Sequence, residues 1–216
     1  MNTSRFYKRL NRFWAAVSLL ILTGLLTHPA QANLLINGGF EDLDVADGSW
    51  QIFSSGTPGL AWQGGNVEIW DSVFGFEASE GEQLAELNAH PGQSSYFTLF
   101  QSFNTRVNQL YQLSFDYAAR HNGHEAFQVD VSGLTNRLSR HIDDHTPFSW
   151  SHFSGTFLAD SALTTLRFTS VNHGTVGNLL DNVSVRVIPE PDLLFPMLLF
   201  ILAVMVYLRR RKLSGS

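Results

Sequence analysis

Apolar and polar side chains alternate along much of the chain between residues 33 and 188. The clearest case is residues 109–119, where apolar side chains at the odd positions from 111 to 117 are separated by polar ones. A period of two is typical of an antiparallel strand with one buried face. Similar stretches predict strands at residues 33–37, 66–70, 83–88, 96–103, 127–131, 138–142, 150–157, 166–168 and 183–187.

The predicted strands are short, and the residues between them are mostly Gly, Asn, Asp, Ser and Pro, which favour turns. We find no convincing amphipathic helix among them. The pattern therefore predicts an all-β domain over residues 33–188. Among β-sandwiches the jelly roll is the form that about eight short strands favour.

The first 32 residues follow a different pattern. Four basic residues precede an apolar run at residues 13–26, and Ala30-Gln31-Ala32 matches a small-x-small cleavage site. This order predicts a secretory signal peptide that signal peptidase removes after Ala32. The alternative is an uncleaved anchor, but an apolar helix of that length reaches only about 21 Å, less than a hydrocarbon core of about 30 Å.

The last residues, 189–212, combine a proline-flanked motif, an apolar run and a basic cluster. The motif is Pro189-Glu190-Pro191, the apolar run is residues 193–208, and the cluster is Arg209, Arg210, Arg211 and Lys212. An apolar run followed by basic residues predicts a transmembrane helix whose basic end stays in the cytoplasm. From the residues alone, a permanent single-pass anchor is the alternative to a temporary one.

This ending resembles the PEP-CTERM sorting signal of Gram-negative bacteria, with Ile188 where valine is usual. In that family a membrane peptidase, the exosortase, recognises the Pro-Glu-Pro motif and removes the helix. The resemblance implies a precursor held in the inner membrane and then passed to the cell surface or extracellular matrix. The family is associated with organisms that produce exopolysaccharide and form biofilms, so extracellular polysaccharide becomes an expected partner.

Charge and cysteine content narrow the possible partners of the domain. Residues 33–189 carry six arginines and 17 of the 19 acidic residues. A domain this acidic is not expected to bind nucleic acid or an anionic membrane surface, but it is compatible with Ca²⁺. The chain has no cysteine, which excludes disulfides, thiolate metal sites and cysteine nucleophiles.

A second resemblance covers most of the domain. Asn37-Gly38-Gly39-Phe40-Glu41 near its start and Leu179-Leu180-Asp181-Asn182-Val183 near its end resemble the edges of galactose-binding-like jelly rolls, a fold common in carbohydrate-binding modules. The resemblance implies that Glu41 and Asp181 share a structural Ca²⁺ that ties the first strand to the last. Alternatively, Glu41 is a solvated loop residue and Asp181 a turn residue.

Aromatic side chains are the candidates for glycan binding, because their faces stack on sugar rings. Trp62 and Trp70 lie in a Gly-rich stretch that resembles an exposed loop or edge, so we expect at least one of them to be accessible. Tyr96, Arg120 and Asn122 are weaker candidates. The alternative is that these aromatic side chains fill the core.

Histidine pairs and catalytic motifs add little to the prediction of function. The pairs His121/His124 and His141/His145 have loose spacing, and we interpret them as solvated loop residues rather than a metal site. No nucleophile elbow or phosphate-binding loop is present, so an enzyme is not expected. The sequence favours an exported protein that binds or organises exopolysaccharide. A structural or adhesive matrix protein that binds proteins is the alternative, and a polysaccharide-modifying enzyme is the third hypothesis.

Overall fold

A computed structural model describes residues 31–89, 97–190 and 199–205. Contacts divide the chain into Met1–Ala32 and Asn33–Ser216, and the strands of the described residues all lie in the second unit. They are β1 (Trp50–Phe53), β2 (Gln63–Gly64), β3 (Val67–Asp71), β4 (Gln83–Glu86), β5 (Thr98–Asn104), β6 (Leu110–Ala118), β7 (Phe127–Ser132), β8 (Asn136–Ile142), β9 (Ser151–Leu158), β10 (Leu163–Ser170) and β11 (Leu179–Val187).

The strands form two antiparallel sheets. The six-stranded sheet has the order β1-β3-β4-β11-β6-β9, and the five-stranded sheet has the order β2-β5-β10-β7-β8. This confirms the predicted all-β sandwich; its jelly-roll form stays a prediction. Nine of the predicted strands correspond to β3 to β11, whereas the short strands β1 and β2 were not predicted.

The main core lies between the sheets, and the alternation of side chains explains it. In β6, Tyr111 and Phe115 point inward and are at most 2% exposed, whereas Gln112 is exposed. The ring of Phe115 lies 5.9 Å from that of Phe127 in β7 and 5.2 Å from that of Phe168 in β10. Each buried aromatic side chain removes a large apolar area from water, so these positions hold the two sheets together.

The predicted first strand, residues 33–37, does not form, and this prediction is wrong. The segment does lie beside β11, because the Asn33 side chain donates to the carbonyl of Val183 (2.9 Å) and accepts from the N–H of Val185 (2.9 Å). Asn37 then takes a positive φ of 53°, which turns the chain away before a ladder can continue. The side chain of Asn33 thus supplements two isolated backbone hydrogen bonds, from Leu34 N–H to the carbonyl of Val185 and from Val183 N–H to the carbonyl of Gly38, and these do not make a regular strand.

The six-stranded sheet is also covered on its outer face. β3 is buried at all five positions, so its polar and aromatic side chains on the outer face are shielded as well. A second apolar cluster forms there from Trp70, Val73, Leu84, Ala118 and Leu179, with Phe76, Ala78 and Trp150 packed against it. This cover is incomplete above β1 and β3, and a cleft opens at that point.

Among the described residues, the last backbone hydrogen bond at the end of the sandwich is that of Ile188, whose N–H donates to the carbonyl of Leu110 (2.9 Å). Pro189 and Glu190 follow directly and are exposed. Pro191, Arg209, Arg210, Arg211 and Lys212 of the predicted sorting signal, and Ala30 of the predicted cleavage site, lie outside the described residues. Residues 199–205 are helical, and none of the described helices is long and apolar enough to cross a membrane.

Candidate ligand-binding cleft

A cavity of about 330 Å³ opens on the outer face of the six-stranded sheet. It is lined by Trp50, Glu68, Arg120, Thr175 and Val176. The first two stand on the neighbouring strands β1 and β3, and Arg120 follows the end of β6. The last two belong to the connection between β10 and β11, so four separate segments of the chain meet at the cleft.

One aromatic side chain, Trp50, lines the cleft, and a second, Phe74, is exposed next to Arg120. Trp50 begins the edge strand β1, pairs with Trp70 in β3 and is 49% exposed. Phe74 is 74% exposed, and its ring lies edge-on to that of Trp70 at 5.8 Å. Phe74 takes a positive φ of 58°, a conformation that costs free energy for a bulky side chain and that often marks functional loops.

Two carboxylates lie side by side at the base of the cleft. Glu68 in β3 and Glu86 in β4 are cross-strand partners and are 3% and 0% exposed. Both oxygens of Glu86 accept from Nη1 of Arg120, at 3.1 and 2.9 Å, and Oε1 also accepts from the N–H of Gly177 at 2.6 Å. Burial raises the pKa of Glu86 to about 8, although the hydrogen bond from Gly177 and the charge of Arg120 lower it in part.

Arg120 is held in place from two sides. Its guanidinium lies 4.8 Å from the ring centroid of Trp70 and 5.8 Å from that of Phe74, within the range of a cation–π contact. Its ion pair with Glu86 fixes the other side. The side chain remains 24% exposed, so it can still offer N–H groups to a ligand.

A buried carboxylate behind the cleft organises the loops that form it. Glu125 is 2% exposed and accepts hydrogen bonds from the backbone N–H groups of Arg120 (2.8 Å), His121 (2.7 Å) and Asn178 (3.0 Å). It thereby joins the segment after β6 to the one before β11. Gly177 must be glycine, because its φ is 119° and a Cβ would lie 2.6 Å from Cδ of Glu125.

Trp62 and Trp70 are buried at 1% and 0%, so the expectation that one of them is accessible is wrong. The Gly-rich stretch forms β2 and β3 rather than an exposed loop. Trp62 lies in the main core, stacked on Phe40 at 5.6 Å, and its Nε1 donates to the carbonyl of Asn37. Trp70 lies beneath Arg120 and Phe74 and supports the cleft without offering a free face.

The other residues predicted to bind a ligand differ in whether they lie at the cleft. Arg120 belongs to the cleft. Asn122 forms a turn instead, where its Oδ1 accepts from the N–H of His124 at 2.9 Å, and it does not line the cavity. Tyr96 lies outside the described residues. The sequence analysis missed Trp50 and Phe74, and only the polar environment of the stretch around Trp50 hinted at its exposure.

Glu41 and Asp181, the predicted calcium ligands, both bind one loop, residues 79–83. Asp181 is 0% exposed, and its Oδ2 accepts from two backbone N–H groups at the start of the loop, at 2.8 and 2.9 Å. Oε1 of Glu41 accepts from two N–H groups at the end of the loop, both at 2.9 Å. Backbone donors of a single loop thus join the two carboxylates.

The donor set at this loop does not match Ca²⁺, which takes six to eight oxygen ligands. The loop turns N–H groups towards both carboxylates, and nowhere in the described part of the chain do three or more His, Cys, Asp or Glu side chains gather as a metal site. Burial raises the pKa of Asp181 to about 7. Calcium binding stays a prediction, and it requires the loop to present carbonyl oxygens instead.

In the described part of the chain, the histidines of the two predicted pairs do not belong to a group of three or more His, Cys, Asp or Glu side chains that could hold a metal ion. His121 and His124 are exposed, as expected of loop residues, and His141 is also exposed but lies in strand β8 and not in a loop. His145 differs, because it is 5% exposed and packs edge-on against Tyr117 and Phe127 at 5.1 and 5.2 Å. Burial lowers its pKa, so its ring is neutral at neutral pH. The sequence could not separate this core histidine from its solvated neighbours.

No family model and no curated protein matches the chain. Among solved structures, it is similar to TmCBM61 in complex with β-1,4-galactotriose, at 16% identity and a TM-score of 0.49 over 73% of this chain and 99% of the other. It is also similar to a CBM4 structure, at 16% identity and a TM-score of 0.45 over 71% of this chain and 99% of the other. A third similar structure is the CBM22-1 xylan-binding domain of Paenibacillus barcinonensis Xyn10C, at 13% identity and a TM-score of 0.43 over 68% of this chain and 100% of the other. At these identities and TM-scores, the similarities carry no conclusion about a ligand.

Proposed function

We propose that the chain is a non-enzymatic glycan-binding module and that the cleft beside Trp50 holds a short segment of an extracellular polysaccharide. A pyranose ring has an apolar face that stacks on an aromatic side chain and a rim of hydroxyl groups that need hydrogen-bond partners. The observation that carries the proposal is the half-exposed Trp50 next to Glu68 and Arg120.

The rigidity of the polar groups also supports this function. Arg120 is fixed by Glu86 and by the ring of Trp70, and Glu86 is fixed by the N–H of Gly177. Side chains that are ordered before binding lose little conformational entropy when a ligand arrives. The cavity of about 330 Å³ lies at the lower end of ligand pockets and suits a segment of a longer chain.

Replacing Trp50 by alanine tests this function. Affinity electrophoresis of the whole chain, in detergent, against a panel of bacterial and plant polysaccharides should find at least one ligand. We expect Trp50→Ala to weaken that binding about tenfold or more, because the stacking face is lost.

Phe100→Ala is the matched control. Phe100 lies in β5 of the other sheet and has the guanidinium of Arg167 4.5 Å from its ring, which is a similar arrangement outside the cleft. The Phe100→Ala variant should leave glycan binding unchanged. If no glycan binds and only protein partners are captured, the alternative function as an adhesive matrix protein replaces this one.

We also propose that the protein is exported, is held in the inner membrane of a Gram-negative bacterium, and is released by an exosortase to the cell surface or a biofilm matrix. The exposure of Pro189 and Glu190, directly after the last backbone contact of Ile188, supports this route. A peptidase needs an extended and accessible segment, and these residues follow the folded domain without a linker.

A further inference from the structure

The ionisable side chains of the cleft are not equally partnered. Arg120 pairs with Glu86, and both oxygens of Glu86 accept from the same Nη1 atom. The N–H of Gly177 occupies one of these oxygens as well. Glu86 is therefore held by two partners, whereas Glu68 has no ion pair among the described residues.

Glu68 is buried without a cation of its own. It is 3% exposed and lines the cavity, and Trp70 Nε1 donates to its Oε1 at 2.8 Å. Within residues 31–89, 97–190 and 199–205, this is the one hydrogen bond of the Glu68 side chain, and it forms no ion pair. A buried carboxylate with unused lone pairs is costly unless a donor or a cation reaches it.

We infer that the cleft selects a polysaccharide with unacetylated amino sugars, whose ammonium group binds Glu68 while the same sugar ring stacks on Trp50. This inference rests on the proposed function and names its ligand class. An ammonium group brings three N–H donors and one positive charge, which match the unused oxygen positions of Glu68. The half-exposed indole of Trp50 also attracts a cation near its face.

The same geometry disfavours two other classes of glycan. A uronic acid would bring a second carboxylate next to Glu68 in the cleft, and like charges at close range repel. An N-acetylated sugar lacks the positive charge and would leave the carboxylate of Glu68 uncompensated.

Isothermal titration calorimetry tests this inference by measuring the affinity of the whole chain, in detergent and slightly acidic buffer, for three oligosaccharides of equal length. They are a deacetylated chitosan oligomer, the N-acetylated chitin oligomer and an oligogalacturonate. We expect the chitosan oligomer to bind at least tenfold more tightly than the chitin oligomer, and the oligogalacturonate to bind more weakly than either. Chitin binding that equals or exceeds chitosan binding would overturn the inference and leave the proposed function intact.

Two variants separate specific recognition from general attraction of a cation to an acidic protein. Glu68→Gln keeps an oxygen for Trp70 Nε1 but removes the charge, so the preference for chitosan should disappear. Glu77→Gln removes an exposed carboxylate on the neighbouring loop and should keep the preference. A preference that survives Glu68→Gln, or that is lost equally in both variants, contradicts the assignment. If neither these oligosaccharides nor the polysaccharide panel binds, the proposed function itself fails.

Discussion

At the residue scale, the cleft depends on how Glu86 and Arg120 hold each other. Glu86 is 0% exposed, and burial raises its pKa to about 8 despite the adjacent guanidinium. The carboxyl is thus near its titration point under ordinary conditions. Arg120 in turn covers one face of Trp70 and stays partly open to solvent. The protonation of Glu86 therefore changes the charge of the cleft.

Glu86 should make the stability of the domain depend on pH between about pH 4.5 and pH 8. Its pKa is higher in the folded state, about 8, than its ordinary value of 4.5. Between these two values the folded state binds more protons than the unfolded state, so the free energy of unfolding falls as the pH rises and levels off above about pH 8. Urea unfolding should show this decline, to which Asp181 also contributes because burial raises its pKa to about 7.

Glu86→Gln should flatten this decline, because the titrating group is removed. Glu82→Gln changes an exposed carboxylate and should keep the slope of the original chain. If the slope is the same in the Glu86 variant as in the original chain, Glu86 does not titrate in this window.

Single residues also show where the sequence was informative. Arg120 was predicted as a ligand-binding residue, and it lines the cleft. At least one of Trp62 and Trp70 was predicted to be accessible, because glycines around them are typical of loops. Those glycines instead allow close backbone packing: at Gly64 a Cβ would overlap the carbonyl oxygen of Thr98. Such proximity depends on strands distant in sequence, and one sequence does not reveal it.

At the element scale, the loop 79–83 connects the start of the domain to its last strand. It donates backbone hydrogen bonds to Glu41 at one end and to Asp181 at the other. The resemblance to galactose-binding-like folds predicted that these two carboxylates act together. It did not predict that a loop about 40 residues after Glu41 joins them, because no local pattern links the three segments.

Gly81 should be essential to this loop. It has a φ of 70°, and a Cβ there would overlap Oε1 of Glu41. Gly75 has almost the same φ of 71°, but nothing lies within 4 Å of its Cβ position. We expect Gly75→Ala to cost about 1–2 kcal/mol in the free energy of unfolding, for the backbone conformation alone.

Gly81→Ala should cost more, roughly 2–4 kcal/mol, because Glu41 must also give up its hydrogen bonds. Chemical denaturation of both variants measures the difference. Equal losses in the two variants would show that the contact between the loop and Glu41 is not formed.

The calcium prediction is tested on the same loop. A higher melting temperature with Ca²⁺ than with a chelator would show that the loop can turn carbonyl oxygens towards Glu41 and Asp181, since a ligand that binds the folded state stabilises it. An unchanged melting curve would remove the predicted site and leave the backbone donors as the connection.

The strands themselves show a clear limit of sequence analysis. β6 and β7 were predicted because their side chains alternate over six or more residues. β2 has two residues, too few to establish a period, and β1 has four, of which the adjacent Ile52 and Phe53 are both apolar and interrupt the alternation. β1 carries Trp50, so the strand that escaped prediction is the one that places the main aromatic side chain of the cleft.

At the scale of the whole molecule, the protein combines an acidic β-sandwich with a segment that leaves it directly at Ile188. The alternation of side chains and the turn residues between the strands were enough to predict the sandwich. The position of the cleft was not predictable, because it depends on which part of the outer face the loops leave uncovered.

The proposed export route predicts the ends of the mature chain. Mass spectrometry of the protein from its own host should find a chain that begins at Asn33 and ends near residue 190, because signal peptidase and an exosortase would cut there. A chain that still carries residues 193–212 would indicate a permanent anchor instead.

The central claim, that the cleft beside Trp50 binds a glycan, is tested most directly by NMR. Spectra of the ¹⁵N-labelled chain are compared with and without a saturating glycan, and the indole N–H signals of Trp50 and Trp62 are followed. We predict a large shift of the Trp50 signal and no shift of the Trp62 signal, since Trp62 donates to Asn37 within the core. A bound glycan that leaves Trp50 unchanged and shifts only residues of the five-stranded sheet would contradict the claim.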